Sequence, residues 1–138
     1  MIKLKNLILT LLFLPVMSTF LFSQHNLIIE INDLRNNNGQ LLLEFSNAKG
    51  DKIMGIAQNI IDNKCIVVIK NLKPGKYAFK YFHDENKNDN LDLNWMGIPK
   101  EGYGFSNNAK GLFGPPSFNK TIFVIKGAAT QKCTPEYF

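Results

Sequence analysis

The sequence predicts an all-β protein, an antiparallel β-sandwich with one long ordered loop. Short segments alternate apolar and polar residues, and clusters of asparagine, aspartate, glycine and proline separate them. After the first 22 residues, no segment of 15 residues or more carries a clear helical spacing of apolar side chains. A series of short strands with regular turn signals is typical of two sheets packed face to face, on the scale of seven strands.

The first residues have the layout of a secretory signal peptide. Two lysines precede an apolar run over residues 7–22, which contains a proline and is shorter than the roughly 20 apolar residues of a membrane-spanning helix. Ser23 is a small residue suitable for cleavage. We therefore expect residues 1–23 to form a cleavable signal helix. Residues 24–138 should form a single domain, periplasmic, at the outer surface or secreted, with no membrane span after cleavage.

The charge distribution argues against a nucleic-acid partner. The chain carries a formal net charge of +5, which falls to +3 without the two lysines of the signal segment. The remaining lysines are scattered, and Arg35 is the sole arginine. Proteins that track a phosphate backbone cluster such residues on one face.

The first two strands read as a hairpin. Leu27, Ile29 and Ile31 alternate with polar residues, and a second alternating set occupies residues 41–45. Between them, residues 36–39 read Asn-Asn-Asn-Gly, which are turn formers.

The next segment is ambiguous at its start. Residues 51–61 fit either a helix or a strand, although Asp62-Asn63 favours strand, turn, strand. Residues 65–69 are apolar without alternation, which predicts a central strand covered on both faces.

A second hairpin is predicted around Pro74-Gly75, the pair that a type II turn requires. In the strand that follows, one face carries the alternate residues Tyr77, Phe79, Tyr81 and His83. Residues 84–118 show no strand or helix pattern of useful length, yet they contain many large apolar side chains, so we expect an ordered excursion rather than disorder. Residues 120–126 read as a final strand.

Two cysteines, Cys65 and Cys133, form a disulfide candidate, because an exported protein meets an oxidising compartment. The alternative is a buried free thiol on the strand and an exposed one in the tail. Pairing requires Cα atoms within roughly 7 Å.

The start of the excursion carries oxygen-bearing side chains at every second position. This spacing wraps oxygens around a calcium ion, which accepts about 6–8 such ligands. An EF-hand is excluded, because Asp89 replaces its glycine and Trp95 its glutamate. The alternative is a turn rich in side-chain-to-backbone hydrogen bonds. The candidate calcium ligands are Asp84, Asn86, Asn88, Asn90 and Asp92, with Glu101 folding back to complete the shell.

A second set of residues could contact an organic ligand. Residues 103–108 place two aromatic rings and several amides on a loop with a glycine, suited to stacking on sugars or peptides, although packing onto the sheet is the alternative. A histidine at the strand end could also be a metal ligand or a base, or a structural group. The candidate ligand-binding residues are His83, Trp95, Tyr103, Phe105 and Asn107.

No nucleophile elbow, histidine pair or phosphate-binding glycine loop is present in the sequence. We therefore expect a non-catalytic binding or structural module that takes an extracytoplasmic carbohydrate or protein, with calcium as a candidate stabilising ion. The alternative is a hydrolase of extracellular carbohydrate or peptide that uses His83, Asp84 and Glu101.

Four motifs in order give the mature chain a family resemblance. They are Asn-Leu-Lys-Pro-Gly-Lys-Tyr-Ala at 71–78, His-Asp-Glu-Asn-Lys-Asn at 83–88, the segment from Gly97 to Asn108, and Gly-Pro-Pro-Ser-Phe at 114–118. They resemble the secreted bacterial family called domain of unknown function 2141. The resemblance implies an exported bacterial protein of unassigned activity. Lys87 and Asp89 stand where that family usually has glycines, which weakens a calcium-loop analogy.

The element at 72–77 is also similar to transthyretin-like and carboxypeptidase-regulatory modules, which implies an immunoglobulin-like or transthyretin-like sandwich. A shared fold does not assign a function.

Overall fold

The computed structural model describes residues 23–138, and these form two β-sheets packed face to face, which confirms the predicted sandwich. The predicted signal segment lies, apart from Ser23, outside the described residues. The strands are β1 (His25–Ile31), β2 (Gln40–Asn47), β3 (Lys52–Gln58), β4 (Cys65–Leu72), β5 (Gly75–Asp84), β6 (Tyr103–Phe105), β7 (Phe123–Ile125) and β8 (Ala129–Cys133). A 3₁₀ turn (Ser106–Asn108) and a one-turn helix α1 (Phe118–Thr121) complete the set.

The two sheets differ in size and in strand direction. The smaller has the order β4-β1-β8, and the larger has the order β3-β2-β5-β6, with β7 pairing the first residues of β5. β1 runs antiparallel to β4 but parallel to β8. The smaller sheet is therefore mixed, and the β1–β8 pair is an exception to the predicted antiparallel arrangement.

The core lies between the sheets and is built by alternate residues of the strands. Those of β1, β2 and β5 point inward, as their alternation predicts. Phe45 of β2 stacks on Tyr77 of β5 with ring centroids 5.2 Å apart, and Phe79 meets Phe123 edge to face at 5.8 Å. Burying one such ring stabilises the fold by about 1.5–3 kcal/mol.

Neither predicted hairpin forms. β1 and β2 belong to opposite sheets, and so do β4 and β5, so each connection crosses the sandwich. The first crossing buries Leu34, whose amide donates to the Asn63 carbonyl at 3.0 Å. The predicted type II turn is also wrong, because positive φ occurs at Asn71 (60°) and not at Gly75. Alternation specifies which face of a strand is buried, but not which strand it pairs with.

β4 is an edge strand rather than a central one. Its inward residues are buried, whereas Ile66 and Val68 on its outer face are 55% and 49% exposed. The apolar run without alternation therefore predicted a strand correctly, but the prediction that both of its faces are covered was wrong. The turn before it is confirmed, since Asp62 and Asn63 both have positive φ and Ile61 pairs with Lys64. Residues 52–58 resolve as strand, not helix.

The excursion after β5 holds regular structure that its sequence did not reveal. β6 pairs with β5 within it, and the 3₁₀ turn follows directly. The predicted final strand at 120–126 begins as α1 and becomes β7 only at Phe123. β8, which follows, was not predicted.

The disulfide candidate is contradicted, because Cys65 and Cys133 are both free. Cys65 pairs with Ile31 on one side of β1, and Cys133 pairs with Ile31 on the other. Two strand spacings, about 9–10 Å, therefore separate the cysteines, too far for a disulfide. Both thiols are buried, and burial raises the pKa of Cys65 to about 11.

We expect the two thiols to be unreactive towards a thiol-specific reagent at pH 8 in the native protein and both to react once the protein is unfolded. Burial removes access, and it also keeps the thiols protonated. The measurement is a thiol titration with and without denaturant, and a denatured sample treated first with reductant is the control. Finding thiols only after reduction would contradict the strand order around β1.

Candidate functional site

An open groove crosses the outer face of the larger sheet, with a volume of about 600 Å³. Its floor is two rows of outward-facing residues that lie opposite one another across four neighbouring strands. The first row is Ala57, Leu42, Phe82 and Tyr103, and the second is Gly55, Glu44, Lys80 and Phe105. Below, these eight residues and their rims are called the outer groove.

The excursion closes the face on both sides of these two rows. At one side the next cross-strand pair, Gln40 and Asp84, lies under residues 85–92, and Asp89 and Leu91 line the groove edge. At the other side Ser46 and Ala78 are buried, although they lie on the same outward face, where Pro116 and Phe118 adjoin them. Two rows along a strand span roughly 7 Å, and four strands span roughly 14 Å.

Aromatic rings form the β6 side of the groove, and small residues form the β3 side. The rings of Tyr103 and Phe105 meet edge to face with centroids 6.1 Å apart, and Tyr103 also stacks on Phe138 at 6.1 Å. Only glycine fits at position 104 between them, because a Cβ there would collide with the Tyr81 side chain. At the opposite side Gly55 and Ala57 leave the groove open.

The charged groups of the groove balance. Glu44 and Lys80 form an ion pair across β2 and β5 with 3.1 Å between Oε1 and Nζ. Lys52 and Asp89 add one charge of each sign at the rims. The lining therefore has no net charge, and it offers both hydrogen-bond donors and acceptors to whatever enters.

The carboxylate of Asp84 anchors the loop at one rim. Its side chain is fully buried, and its two oxygens accept the backbone N–H groups of Asn88 (3.1 Å) and Asp89 (3.0 Å). The Gln40 amide also donates to Asp84 and to Asp89, both at 3.0 Å. A buried carboxylate is tolerated when hydrogen bonds replace its lost hydration. Gly39 allows the approach, because a Cβ there would collide with the Asp84 carbonyl.

Glu101 closes the same loop from its far end. It is 4% exposed, and its two oxygens accept the backbone N–H groups of Glu85 (2.9 Å) and Asp92 (3.1 Å). One side chain thus joins the first turn of the excursion to its ninth residue. Predicted as a calcium ligand, Glu101 has both its oxygens occupied by backbone amides.

The side chains of the predicted calcium loop converge on Asp92. Its two oxygens accept hydrogen bonds from the side-chain amides of Asn86 (2.6 Å) and Asn88 (2.8 Å). Asn90, by contrast, turns towards Asn88. Its backbone N–H donates to the Asn88 side-chain oxygen, and its side-chain amide donates to the Asn88 carbonyl. Within residues 23–138, no group of three or more histidine, cysteine, aspartate or glutamate residues is arranged to hold a metal ion.

His83 is buried and cannot meet a ligand at the surface, so its prediction as a ligand-binding residue is wrong. Its Nε2 lies 2.7 Å from the Asn38 carbonyl, which can only accept, so Nε2 carries the proton. Nδ1 then accepts the hydroxyl of Tyr137 at 2.9 Å. Although His83 lies next to the end of β5, it faces inward and fixes the C-terminal tail.

An exposed ion pair holds the outside of the loop. Arg35 pairs with Glu85 and stacks over the Tyr137 ring, 4.7 Å from its centroid. Burial alone would raise the pKa of Glu85, but hydrogen bonds from Asn36 and Arg35 together hold it below its ordinary value. The ionised form is therefore favoured in the folded protein.

The other predicted ligand-binding residues separate into two groups. Tyr103 and Phe105 line the outer groove, whereas Trp95 is 91% exposed on a separate turn outside its lining. Asn107 bonds to Gln131 and to two backbone carbonyls and is occupied by the fold. The sequence reasoning missed Leu42, Glu44, Lys80 and Phe82 of the floor. The available signal was Leu42 and Phe82, two apolar residues at outward positions of their strands.

Within residues 23–138, no helix is both long and apolar enough to cross a lipid bilayer. The family model described as "Uncharacterized protein conserved in bacteria (DUF2141)" matches residues 29–132, the greater part of the described sandwich. No curated protein matches the chain. The chain belongs to the DUF2141 family, as the four ordered motifs indicated.

Replacing Glu101 with glutamine should open the loop at residues 85–92, because one of its two acceptor oxygens becomes an amide that cannot accept. The orphaned backbone N–H costs about 1–3 kcal/mol. Hydrogen exchange at the amides of Glu85 and Asp92 measures the effect, with faster exchange expected there and little change in β1. Glu30→Gln, on the outer face of the other sheet, is the control. Equal protection in both variants would refute the closing role of Glu101.

Proposed function

We propose that this DUF2141 protein is an exported, non-catalytic binding module whose ligand occupies the outer groove. The observation that supports it best is the gap of two outward rows that the excursion leaves uncovered between its two rims. Export rests on the signal-like residues 1–23. The ligand would be an extracytoplasmic carbohydrate or protein.

The size and lining of the groove fit a binding site. Ligand sites of roughly 300–1,000 Å³, mostly apolar with a few placed polar groups, are typical of proteins, and the outer groove has this character. Leu42, Phe82 and Phe105 supply its apolar surface, and the Glu44–Lys80 pair supplies its polar centre. A contiguous apolar surface exposed to water usually marks a site that binds a ligand or a partner.

A hydrolase is the weaker candidate on the contacts of its supposed catalytic groups. Asp84 and Glu101 are both buried beneath the loop and accept backbone amides, and His83 is enclosed between Asn38 and Tyr137. In the groove itself Glu44 is paired with Lys80. A general acid or base must reach the substrate proton, which none of the three buried groups does.

Filling the groove should abolish binding without unfolding the protein. Ala57 is exposed at the open side, so Ala57→Trp places an indole over the floor and leaves the core unchanged. The measurement is a set of ¹H–¹⁵N spectra with three probe classes: neutral hexasaccharides, apolar tripeptides, and an anilinonaphthalene sulfonate dye. At least one class should shift the amides of Leu42, Glu44 and Phe82.

Those shifts should persist in Thr130→Trp, which adds the same ring to the outer face of the smaller sheet, and vanish in Ala57→Trp. Shifts outside the groove, or shifts that survive in Ala57→Trp, would rule out the groove as the site.

Calcium is proposed as a second ligand, one that stiffens the rim at residues 84–92. The supporting observation is the convergence of the Asn86 and Asn88 side chains on the Asp92 carboxylate. A half-turn of each amide would exchange nitrogen for oxygen and direct two amide oxygens toward that carboxylate. Oxygens of this kind are the ligands that calcium prefers. Backbone amides already hold Asp84 and Glu101, so the ion would take few charged ligands and bind weakly.

Calcium should therefore raise the melting temperature only at millimolar concentration. At ten times the dissociation constant, binding adds about 1.4 kcal/mol to the free energy of unfolding, a shift of several degrees. Thermal melts with calcium and with chelator measure it. Asp92→Asn should remove the shift, whereas Asp62→Asn, in a turn outside the loop, should keep it. An identical melting temperature with millimolar calcium and with chelator would eliminate the ion.

A further inference from the structure

We infer that the ligand of the outer groove is a neutral oligosaccharide. The inference rests on the proposed binding function and adds the chemical class to it. Three properties of the groove carry it: the balance of its charges, the position of its aromatic rings, and the state of its backbone.

The charge balance argues for a ligand without net charge. Two acidic and two basic side chains face the groove: Glu44, Asp89, Lys52 and Lys80. A charged ligand would be attracted by the two side chains of opposite sign and repelled by the two of its own sign. A hydroxyl group donates and accepts, so a sugar can bond to the carboxylate and to the ammonium of the Glu44–Lys80 pair at once.

The aromatic residues occupy positions where sugar rings could stack. Phe82, Tyr103 and Phe105 are each half-buried, so part of every ring faces the groove. Tyr103 stacks on Phe138, and Phe105 meets Tyr103 edge to face, so each ring has an aromatic neighbour. Rigid aromatic surfaces lose little conformational entropy when a flat apolar face packs on them. The carbon–hydrogen face of a pyranose ring is such a surface.

The backbone beneath the groove is unavailable, which disfavours a peptide. β2 pairs with β3 and β5 on its two sides, and β5 pairs with β2 and β6. An extended peptide lying over β2 and β5 would find no backbone partners there for its own amides, because peptides pair with a sheet at an open edge. In this sheet such an edge is the outer side of β3, beyond the centre of the groove floor. Unpaired amides inside an apolar trough oppose binding. A saccharide has hydroxyl groups instead, which the side chains of the second row can satisfy.

The experiment is titration calorimetry of the wild-type protein with cellohexaose, laminarihexaose and maltohexaose as neutral probes, and with hexagalacturonate as the charged one. We expect at least one neutral hexasaccharide to bind with a dissociation constant below about 1 mM and hexagalacturonate to bind at least tenfold more weakly. Phe105→Ala and Glu44→Gln should each raise the dissociation constant of the neutral probe at least tenfold. Val124→Ala, at the exposed residue of β7 and outside the groove, should leave binding of the neutral probe unchanged.

The outcomes separate this inference from the function on which it rests. Suppose that no neutral hexasaccharide binds, but that an apolar tripeptide or the anilinonaphthalene sulfonate dye binds and Ala57→Trp abolishes that binding. The carbohydrate class is then overturned, and the proposed binding module stands. If no probe of any class binds in a way that Ala57→Trp abolishes, both fall. Preference for hexagalacturonate over the neutral probes also overturns the inference.

Discussion

The arrangement depends on two buried carboxylates that hold a long excursion against the end of one strand. Asp84 and Glu101 together accept four backbone N–H groups from residues 85–92, so this part of the loop has little freedom left. Burying charge is costly unless hydrogen bonds replace hydration, and here the loop itself supplies them. Because the anchored segment also carries Asp89 and Leu91, the same bonds place one rim of the outer groove.

Strand faces could be predicted from the sequence, and strand partners could not. The alternation of Leu27, Ile29 and Ile31, and of the residues of β2 and β5, gave the buried faces correctly. Pairing failed at both hairpins because a short polar connection can turn within a sheet or cross between two, with the same residue types. The parallel β8 was missed because its five residues, with two adjacent large polar side chains (Gln131 and Lys132) among small ones, carry no clear alternation.

The candidate site was half predictable for the same reason. The loop chemistry is local in sequence, so the positions from Asp84 to Asp92 and the aromatic pair Tyr103 and Phe105 were identified from spacing alone. The centre of the floor is formed by Leu42, Glu44, Lys80 and Phe82, which meet only through the register of β2 and β5. His83 was misjudged because a strand end suggests exposure, whereas its burial is set by Tyr137, 54 residues away.

One excursion forms both rims of the groove, so the free energy of ordering this loop and the free energy of binding a ligand in the groove are coupled. A ligand that touches Leu91 and Tyr103 favours the ordered state of residues 84–103, and calcium at Asp92 would favour the same state. By linkage, each would then raise the affinity of the other by the same factor. The hydrogen bonds of Glu101 already provide much of that order, which limits how much either ligand can add. The weak calcium binding proposed above and the preformed groove would both follow from the same two carboxylates.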